Sequence, residues 1–174
     1  DQDEDVKPYI QERNTQWLTI NLDAQLLSII AKIKQFHTQK LRDLKQLGIT
    51  KPINLINKRD ILDIQARFKH QLHLKNPIAF HAISLTSQLI KTFHLIDTLE
   101  TQGISTAISY IKKLESESTK SSSIILNNQS IRQAISALNS IPQGYTHPKI
   151  SSLLSIIKEQ LSINKSSKII VFVN

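Results

Sequence analysis

The segment formed by residues 76–117 constrains the fold more than any other part of the chain. Asn76 is a good helix N-cap, and Pro77 stands in the first turn, where a missing backbone N–H costs nothing. Apolar residues then recur at helical spacing on more than one face, which is typical of a central, buried helix. The main row is Ile78, Ala82, Leu85, Leu89, Phe93, Ile96 and Leu99, and a second row is Phe80, Ile83, Ile90 and Leu95.

Gly103 predicts the end of this helix, because glycine readily adopts the left-handed conformation that closes a helix. Ser105 is then the expected N-cap of a second helix, whose apolar residues are Ala107, Ile108, Ile111 and Leu114. A turn this short predicts that the two helices pack as an antiparallel hairpin.

Composition favours helices throughout. The 174 residues include only three Gly and five Pro, too few for many strands joined by turns. No apolar run approaches the ~18 residues of a membrane span, so we expect no membrane partner. The absence of Cys removes disulfides and thiolate chemistry. The residue pattern therefore predicts an all-α fold of five or six helices, with short extended segments at both ends.

Apolar periodicity places four more helices around the hairpin. The first runs from about Asp23 to Leu47, and the second starts at a capping box formed by Asn57 and Asp60 and runs to about Lys75. A third follows Asn128 or Ser130, and the last starts at Pro148. The predicted buried residues are Leu26, Ile29, Ile30, Ile33, Phe36, Leu44 and Leu47 in the first helix, Ile61, Ile64, Phe68 and Leu72 in the second, Ile131, Ile135 and Leu138 in the third, and Ile150, Leu153, Leu154, Ile157 and Leu161 in the last.

Three segments are less regular. Residues 16–22 alternate and predict a short strand or extended lead-in, with Trp17 packed on the core rather than stacked on a base. The serine-rich residues 116–123 are the best candidate for a disordered loop. Residues 168–174 have the pattern of a buried strand with no later chain to pair with. Together with the absence of any Met, this strand predicts that the chain is a fragment of a larger protein.

Positive charge is concentrated in one quarter of the chain. Residues 32–75 contain eleven Lys and Arg but three Asp and Glu, whereas the rest contains eleven of each sign. Basic residues on solvated helix faces are typical of a polyanion-binding protein. They are also compatible with the ordinary surface of a basic protein, so the pattern alone leaves both interpretations open.

Motifs for catalysis are absent from the sequence. None of the three glycines precedes Lys, so a Gly-Lys-Ser/Thr phosphate-binding loop is excluded. His70 and His73 could share a zinc ion, but no acidic or Cys ligand lies nearby, and we expect no metal. His81 and His94 lie on the predicted central helix and are expected to be hydrogen-bonded core or interface residues. Asp97 and Glu100 have the placement of surface charges, and we predict no catalytic residue.

Several short motifs resemble one family. The sequences LETQG at 99–103 and YIKKL at 110–114 resemble the helical insertion of the archaeal Hef helicase–nuclease family, which is similar to Fanconi anaemia M-type translocases. DVKPY at 5–9 and WLTINL at 17–22 resemble the exit from a first RecA-like motor domain. HPK at 147–149, KEQL at 158–161 and SKIIVF at 167–172 resemble the approach to the second. Residues 23–75 match only in length and helicity.

The resemblance implies a thumb-like insertion domain at residues 23–164 of a superfamily 2 DNA helicase. Residues 1–22 would then leave the first motor domain, and residues 165–174 would begin the second. The parent would be an intracellular, nucleoid-associated protein that acts in replication-fork repair, with ATP and Mg²⁺ bound outside this chain and a nuclease domain in some relatives. Partners implied are branched or double-stranded DNA and the motor domains of the same chain, although RNA-sensing helicases carry related insertions.

Two hypotheses come from different classes of function. In the first, the domain binds DNA through phosphate contacts, without base readout, because no aromatic residue is interleaved with the basic ones. The expected contacts are Lys34, Arg42, Lys45, Lys58, Arg59 and Lys69, with Lys112 and Lys113 as secondary candidates. In the second, the domain is a structural module that docks an apolar face on the motor domains.

Overall fold

The computed structural model describes residues 15–72, 76–142 and 144–172. These residues form seven α-helices and one 3₁₀ turn without any strand, which confirms the all-α prediction. The helices are α1 (Ala24–Lys45), α2 (Lys58–Leu72), α3 (Pro77–Thr101), α4 (Ile104–Ser116), α5 (Lys120–Asn127), α6 (Gln129–Asn139) and α7 (Pro148–Ile163), and the 3₁₀ turn Ile53–Leu55 lies between α1 and α2.

Helix α3 is the central element, as its apolar faces predict. It packs against α1, α2, α4 and α5. The Asn76 side chain caps it by accepting a hydrogen bond from the Ile78 amide at 3.0 Å, and Pro77 occupies the first turn. Both predicted rows are less buried near this end, where Ile78 and Phe80 are exposed to solvent. The first turn of α3 therefore projects beyond the core.

The turn between α3 and α4 is tighter than the sequence suggests. Gly103 has φ +97° and is itself the N-cap residue of α4, which begins at Ile104. The prediction that Ser105 is the cap is wrong, because the chain reverses at one residue and Ser105 is already inside the first helical turn. The two helices do pack against each other, as the hairpin prediction requires.

Two hydrophobic clusters share the long helices α1 and α3. The first cluster joins the start of α1 to the end of α3 and to α4, α5 and α6, and the second cluster joins the end of α1 to α2 and the first half of α3. Since the start of one helix meets the end of the other, α1 and α3 run antiparallel. The first cluster contains Leu26, Ile29, Ile30, Ile33, Phe36, Leu95, Ile96, Leu99, Ala107, Ile111, Ile125, Ile131, Ala134 and Leu138, and the second contains Leu41, Leu44, Ile61, Ile64, Leu85 and Leu89.

The serine-rich segment is ordered, contrary to prediction. Thr119 caps α5 by accepting a hydrogen bond from the Ser122 amide at 3.3 Å. The Lys91 ammonium of α3 contacts the Glu117 carboxylate at 2.5 Å and the Ser122 hydroxyl at 2.7 Å. The Lys91 ammonium has three oxygen partners in this segment. Hydrogen bonding to it allows a serine side chain of α5 to be buried. Helix α5 raises the number of helices in the described residues above the five or six predicted.

The two ends of the chain pack less than predicted. Trp17 is 93% exposed instead of anchored on the core, and residues 16–22 form no strand. In α7 no residue is buried, although an apolar inner face was predicted, because α7 lies along none of the other described helices for more than a few residues. Residues 168–172 form no ladder in the part of the chain that the structure describes. The predicted burial of Ile150, Leu153, Leu154, Ile157 and Leu161 is therefore wrong here.

Candidate nucleic-acid interface

The predicted phosphate contacts all lie on the surface. The capping box of Asn57 and Asp60 starts α2 as predicted, with backbone-to-side-chain hydrogen bonds of 2.8 and 3.0 Å. This start orients the basic residues of α2 outward while Ile61 and Ile64 face the second cluster. Solvent-exposed residues in this set are Lys34, Arg42, Lys45, Lys58, Arg59 and Lys69.

The three predicted phosphate contacts on α1 differ in how available their charges are to a ligand. The Lys34 ammonium is 2.8 Å from the Glu100 carboxylate of α3, so it is partly neutralised. Arg42 lines a groove between α1 and the corner of α5 and α6. Lys45 makes no ion pair with any described residue. Lys45 and Arg42 are therefore the better candidates on this helix.

On α2 the cations spread around the exposed side of the helix. The Lys58 ammonium lies 5.8 Å from the centre of the Phe93 ring, within reach of a cation–π interaction. Lys51, in the connection, pairs with Asp60 at 2.6 Å. The hydrogen bond from the Asn57 amide and the one from Lys51 hold the pKa of the Asp60 carboxyl below its usual range. Arg59 and Lys69 have no carboxylate partner within the described ranges.

The secondary candidates lie on a different helix. Lys112 and Lys113 are exposed on α4, which packs on α3 and α5 and makes no contact with the second cluster. The hydrogen bonds from Lys91 and Ser122 lower the pKa of Glu117, near the end of this helix. Lys112 and Lys113 are thus separated from the basic residues around the second cluster.

The histidines depart in part from the prediction. His81 is exposed, so its expected core position is wrong. His94 is half-buried and meets the Tyr110 ring edge-on, with ring centres 4.4 Å apart. His70 is exposed, and His73 lies outside the described residues. Among residues 15–72, 76–142 and 144–172 no group of three potential metal ligands occurs.

Two features of this region were not predicted from the sequence. His37 of α1 is largely buried and bonded to the Thr92 hydroxyl at 2.8 Å, and burial lowers its pKa to about 4. A cleft beside α1 brings Lys40, Phe80 and Lys120 together from three helices. The sequence places Phe80 in an apolar row, and periodicity does not show which other helix lies opposite or that this ring stays exposed.

Comparison with known proteins defines the class as the helical domain of a helicase. A protein family described as "Putative ATP-dependent RNA helicase, helical bundle" matches residues 27–142, two thirds of the chain. The chain belongs to this family.

Two similar proteins come from archaea. A Methanocaldococcus jannaschii protein that bears the name "Putative ATP-dependent RNA helicase" is 29% identical over 171 residues, which cover 98% of this chain and 21% of that protein. The crystal structure of the Pyrococcus furiosus Hef helicase domain is 28% identical and superposes with a TM-score of 0.81. The match covers 96% of this chain and 36% of the Hef chain. The resemblance to the Hef family is thereby confirmed.

The match extends over only part of each relative, since this chain spans about a fifth of the length of one and about a third of the other. None of the helices in the described ranges is long and apolar enough to cross a membrane.

Proposed function

We propose that this domain is an insertion in an ATP-dependent superfamily 2 helicase and that it holds nucleic acid for the motor. The observation that carries the proposal is the confinement of the net positive charge to residues 32–75. Most of these residues surround the second cluster, at one end of the bundle. Ion pairs contribute little to the stability of this end, since Lys40 and Lys51 pair with carboxylates but the other cations there have no carboxylate partner among the described residues. A bound polyanion would provide negatively charged partners for these unpaired cations.

The proposed mechanism is contact with the sugar–phosphate backbone. Lys and Arg neutralise phosphates and release counterions, which gives affinity without reading the sequence. Arg42 and Lys45 on α1, and Arg59 and Lys69 on α2, are the residues we expect to make these contacts. They would hold one arm of the substrate while motor domains, which would bind ATP and Mg²⁺, move along the strand.

Branched DNA is the substrate we propose, as the sequence resemblance to the Hef family implies. RNA is the alternative, because the names of the family and of the M. jannaschii relative contain that word. The basic residues around the second cluster suit either polymer, since phosphates are common to both.

Fluorescence-anisotropy titration tests this function. The ligands are a forked DNA, a linear duplex, a single DNA strand and an RNA duplex of the same sequence, each at low and moderate salt. We expect the forked DNA to bind most tightly and the affinity to fall steeply with salt. Tighter binding of the RNA duplex would favour the alternative substrate.

A double substitution supplies the residue-level test. We expect Lys45→Ala with Arg59→Ala to weaken binding equally for all DNA sequences and to reduce the salt slope by roughly 0.9 per lost contact. The matched control is Lys158→Ala with Lys165→Ala, which removes two exposed cations from the C-terminal part of the chain. An equal loss in both variants would mean that only net charge matters, and no loss in either would contradict the assignment.

A second candidate function is supported by α7. Its exposed apolar residues, among them Ile150, Leu154 and Ile163, continue into the exposed Ile170 and Phe172. Such a surface favours a structural module that docks on the motor domains. If the chain is folded and binds no nucleic acid at low salt, this second function is the better one. Hydrogen exchange in a longer protein that includes the motor domains should then show protection of α7.

A further inference from the structure

A cleft on the bundle combines an exposed aromatic ring with cations from two other helices. Its walls are the end of α1, the first half of α3 and the start of α5. Phe80 projects from α3 and is 65% exposed. Lys40 comes from α1 and Lys120 from α5. These three residues are separated by forty positions each along the chain, so the cleft exists only in the folded protein.

The charge of the cleft is positive. Lys40 pairs with Asp43 at 2.8 Å, and both line the cleft. Lys120 is exposed and makes no ion pair with a described residue. His81, the residue next to Phe80, also lines the cleft. Two ammonium groups against one carboxylate favour an anionic ligand.

One buried acceptor beside the cleft has no hydrogen-bond partner among the described residues. Gln88 lines the cleft and is almost completely buried. Its amide nitrogen donates to the Ser84 carbonyl at 3.1 Å, but its Oε1 accepts no hydrogen bond from the described part of the chain. Buried amide oxygens are nearly always paired. A ligand with an amino or hydroxyl group that displaces the covering side chains would provide the missing donor.

We infer that this cleft receives one unpaired nucleotide of a polynucleotide strand. The ring of Phe80 offers a stacking surface for any base. Lys120, which is exposed and makes no ion pair with a described residue, is placed to bind a flanking phosphate, and Lys40, which pairs with Asp43, adds positive charge to the same cleft. An aromatic residue beside cations is the arrangement by which proteins hold single strands without reading sequence. An exocyclic amino group or a sugar hydroxyl of the nucleotide would donate the hydrogen bond that the Gln88 Oε1 can accept.

The strand has a path out of the cleft. Lys40 and Ile124 also line the groove beside α5 and α6 that contains Arg42. The cleft and the groove are therefore adjacent, with Lys40 at their boundary. A strand that places one base on Phe80 can continue along α1 towards Arg42, whereas a rigid duplex cannot insert a stacked base into the cleft. The inference rests on the proposed function and assigns a single-stranded arm to this surface.

Phe80→Ala in the whole chain is the direct test. The probes are short single strands of DNA and of RNA that carry one 2-aminopurine, and the blunt DNA duplex of the same sequence. Loss of one stacked base should weaken binding of the single strand by roughly 5- to 150-fold. It should also abolish the quenching of 2-aminopurine fluorescence and leave affinity for the duplex unchanged. The DNA and RNA probes show which sugar the site prefers.

Ile78→Ala is the matched control, because Ile78 is an exposed apolar residue of the same helix that does not line the cleft. Phe80→Trp should retain quenching and affinity. Circular dichroism should show that all three variants stay folded, since both positions are exposed.

The outcomes separate the two proposals. If Phe80→Ala binds the single strand as tightly as the wild type, while Lys45→Ala with Arg59→Ala still weakens binding, the cleft is not the site and the general function stands. The same conclusion holds if Ile78→Ala weakens binding as much as Phe80→Ala. If the wild-type chain binds neither these probes nor the forked DNA, both proposals are overturned. If it binds the forked DNA but no single strand, only the proposal for the cleft is overturned.

Discussion

The two ends of the α1–α3 pair are stabilised differently. Among the described residues, five helices contribute buried side chains to the first cluster, whereas the second cluster adds only α2 to the α1–α3 pair. Most of the surplus positive charge surrounds the second cluster. Since hydrophobic burial is the main source of stability, the end with the smaller core should open more readily. The comparison indicates that one end supports the fold and the other is free to carry a binding surface.

The largest effect should come from opening the first cluster. Leu99 is fully buried at the meeting of α3 with α1, and Leu99→Ala should lower the free energy of unfolding by about 2–5 kcal/mol. Urea denaturation measures this loss. Ile61→Ala in α2 should instead speed amide exchange in α2 more than in α4 and α6. If both variants shift the global transition equally, the two ends are one cooperative unit.

The exposed position of Leu154 provides the matched control. Because it is half-exposed on α7, Leu154→Ala should change the unfolding free energy by no more than about 0.5 kcal/mol. A loss as large as that of Leu99→Ala would mean that α7 is packed in solution.

His37 lies where the two clusters meet, and it should make stability depend on pH. Burial lowers its pKa from 6.5 to about 4, so below pH 6.5 the unfolded chain binds a proton that the folded chain does not. Stability should therefore fall by roughly 3 kcal/mol as the pH drops from 6.5 to 4. Urea denaturation of wild type and of His37→Gln at several pH values isolates this contribution. Parallel curves for the two proteins would show that His37 is not responsible.

A smaller effect is expected at the turn next to the first cluster. Gly103 has φ +97° and ψ −177°, a region that only glycine adopts without strain. Gly103→Ala should cost about 1–3 kcal/mol in thermal or urea unfolding. Ser105→Ala should be neutral, because Ser105 does not cap α4. A loss in Ser105→Ala as large as a lost N-cap would instead identify Ser105 as the cap in solution.

The smallest effect should be that of the ion pair between α1 and α3. Lys34 and Glu100 are both partly exposed, and a double-mutant cycle with Lys34→Gln and Glu100→Gln should give a coupling of about 0.2–1 kcal/mol. The coupling should shrink at high salt. A larger, salt-independent coupling would mean that this ion pair, in addition to hydrophobic burial, stabilises the end of the bundle at the first cluster.

Local features of the fold were predictable from particular residues. Asn76 and Pro77 start α3, the pair Asn57 and Asp60 starts α2, and Gly103 ends α3, as expected. Each signal acts within one helical turn, so neighbouring sequence suffices to recognise it. Serine-rich α5 was not predictable, because its order depends on Lys91, about thirty residues earlier in the chain.

The candidate site was predictable only in part. The excess of cations in residues 32–75 was visible, but their pairing was not, since Glu100 reaches Lys34 only after α3 packs on α1. Trp17 and α7 were expected to be buried from their apolar character alone. An apolar side chain is buried only where another part of the protein packs against it. The described residues provide no such packing surface for Trp17 or α7.

Except for the start of α4 and for α5, the sequence by itself determined where the helices begin and end. It also determined which faces are apolar and where the positive charge is concentrated, because all of these depend on residues within a few turns of each other. Only the tertiary structure decided that α1 and α3 run antiparallel through two clusters and that Phe80, Lys40 and Lys120 line one cleft. Those neighbours are far apart in the chain. Their proximity results from how the helices pack, and periodicity within one helix carries no information about the helix opposite.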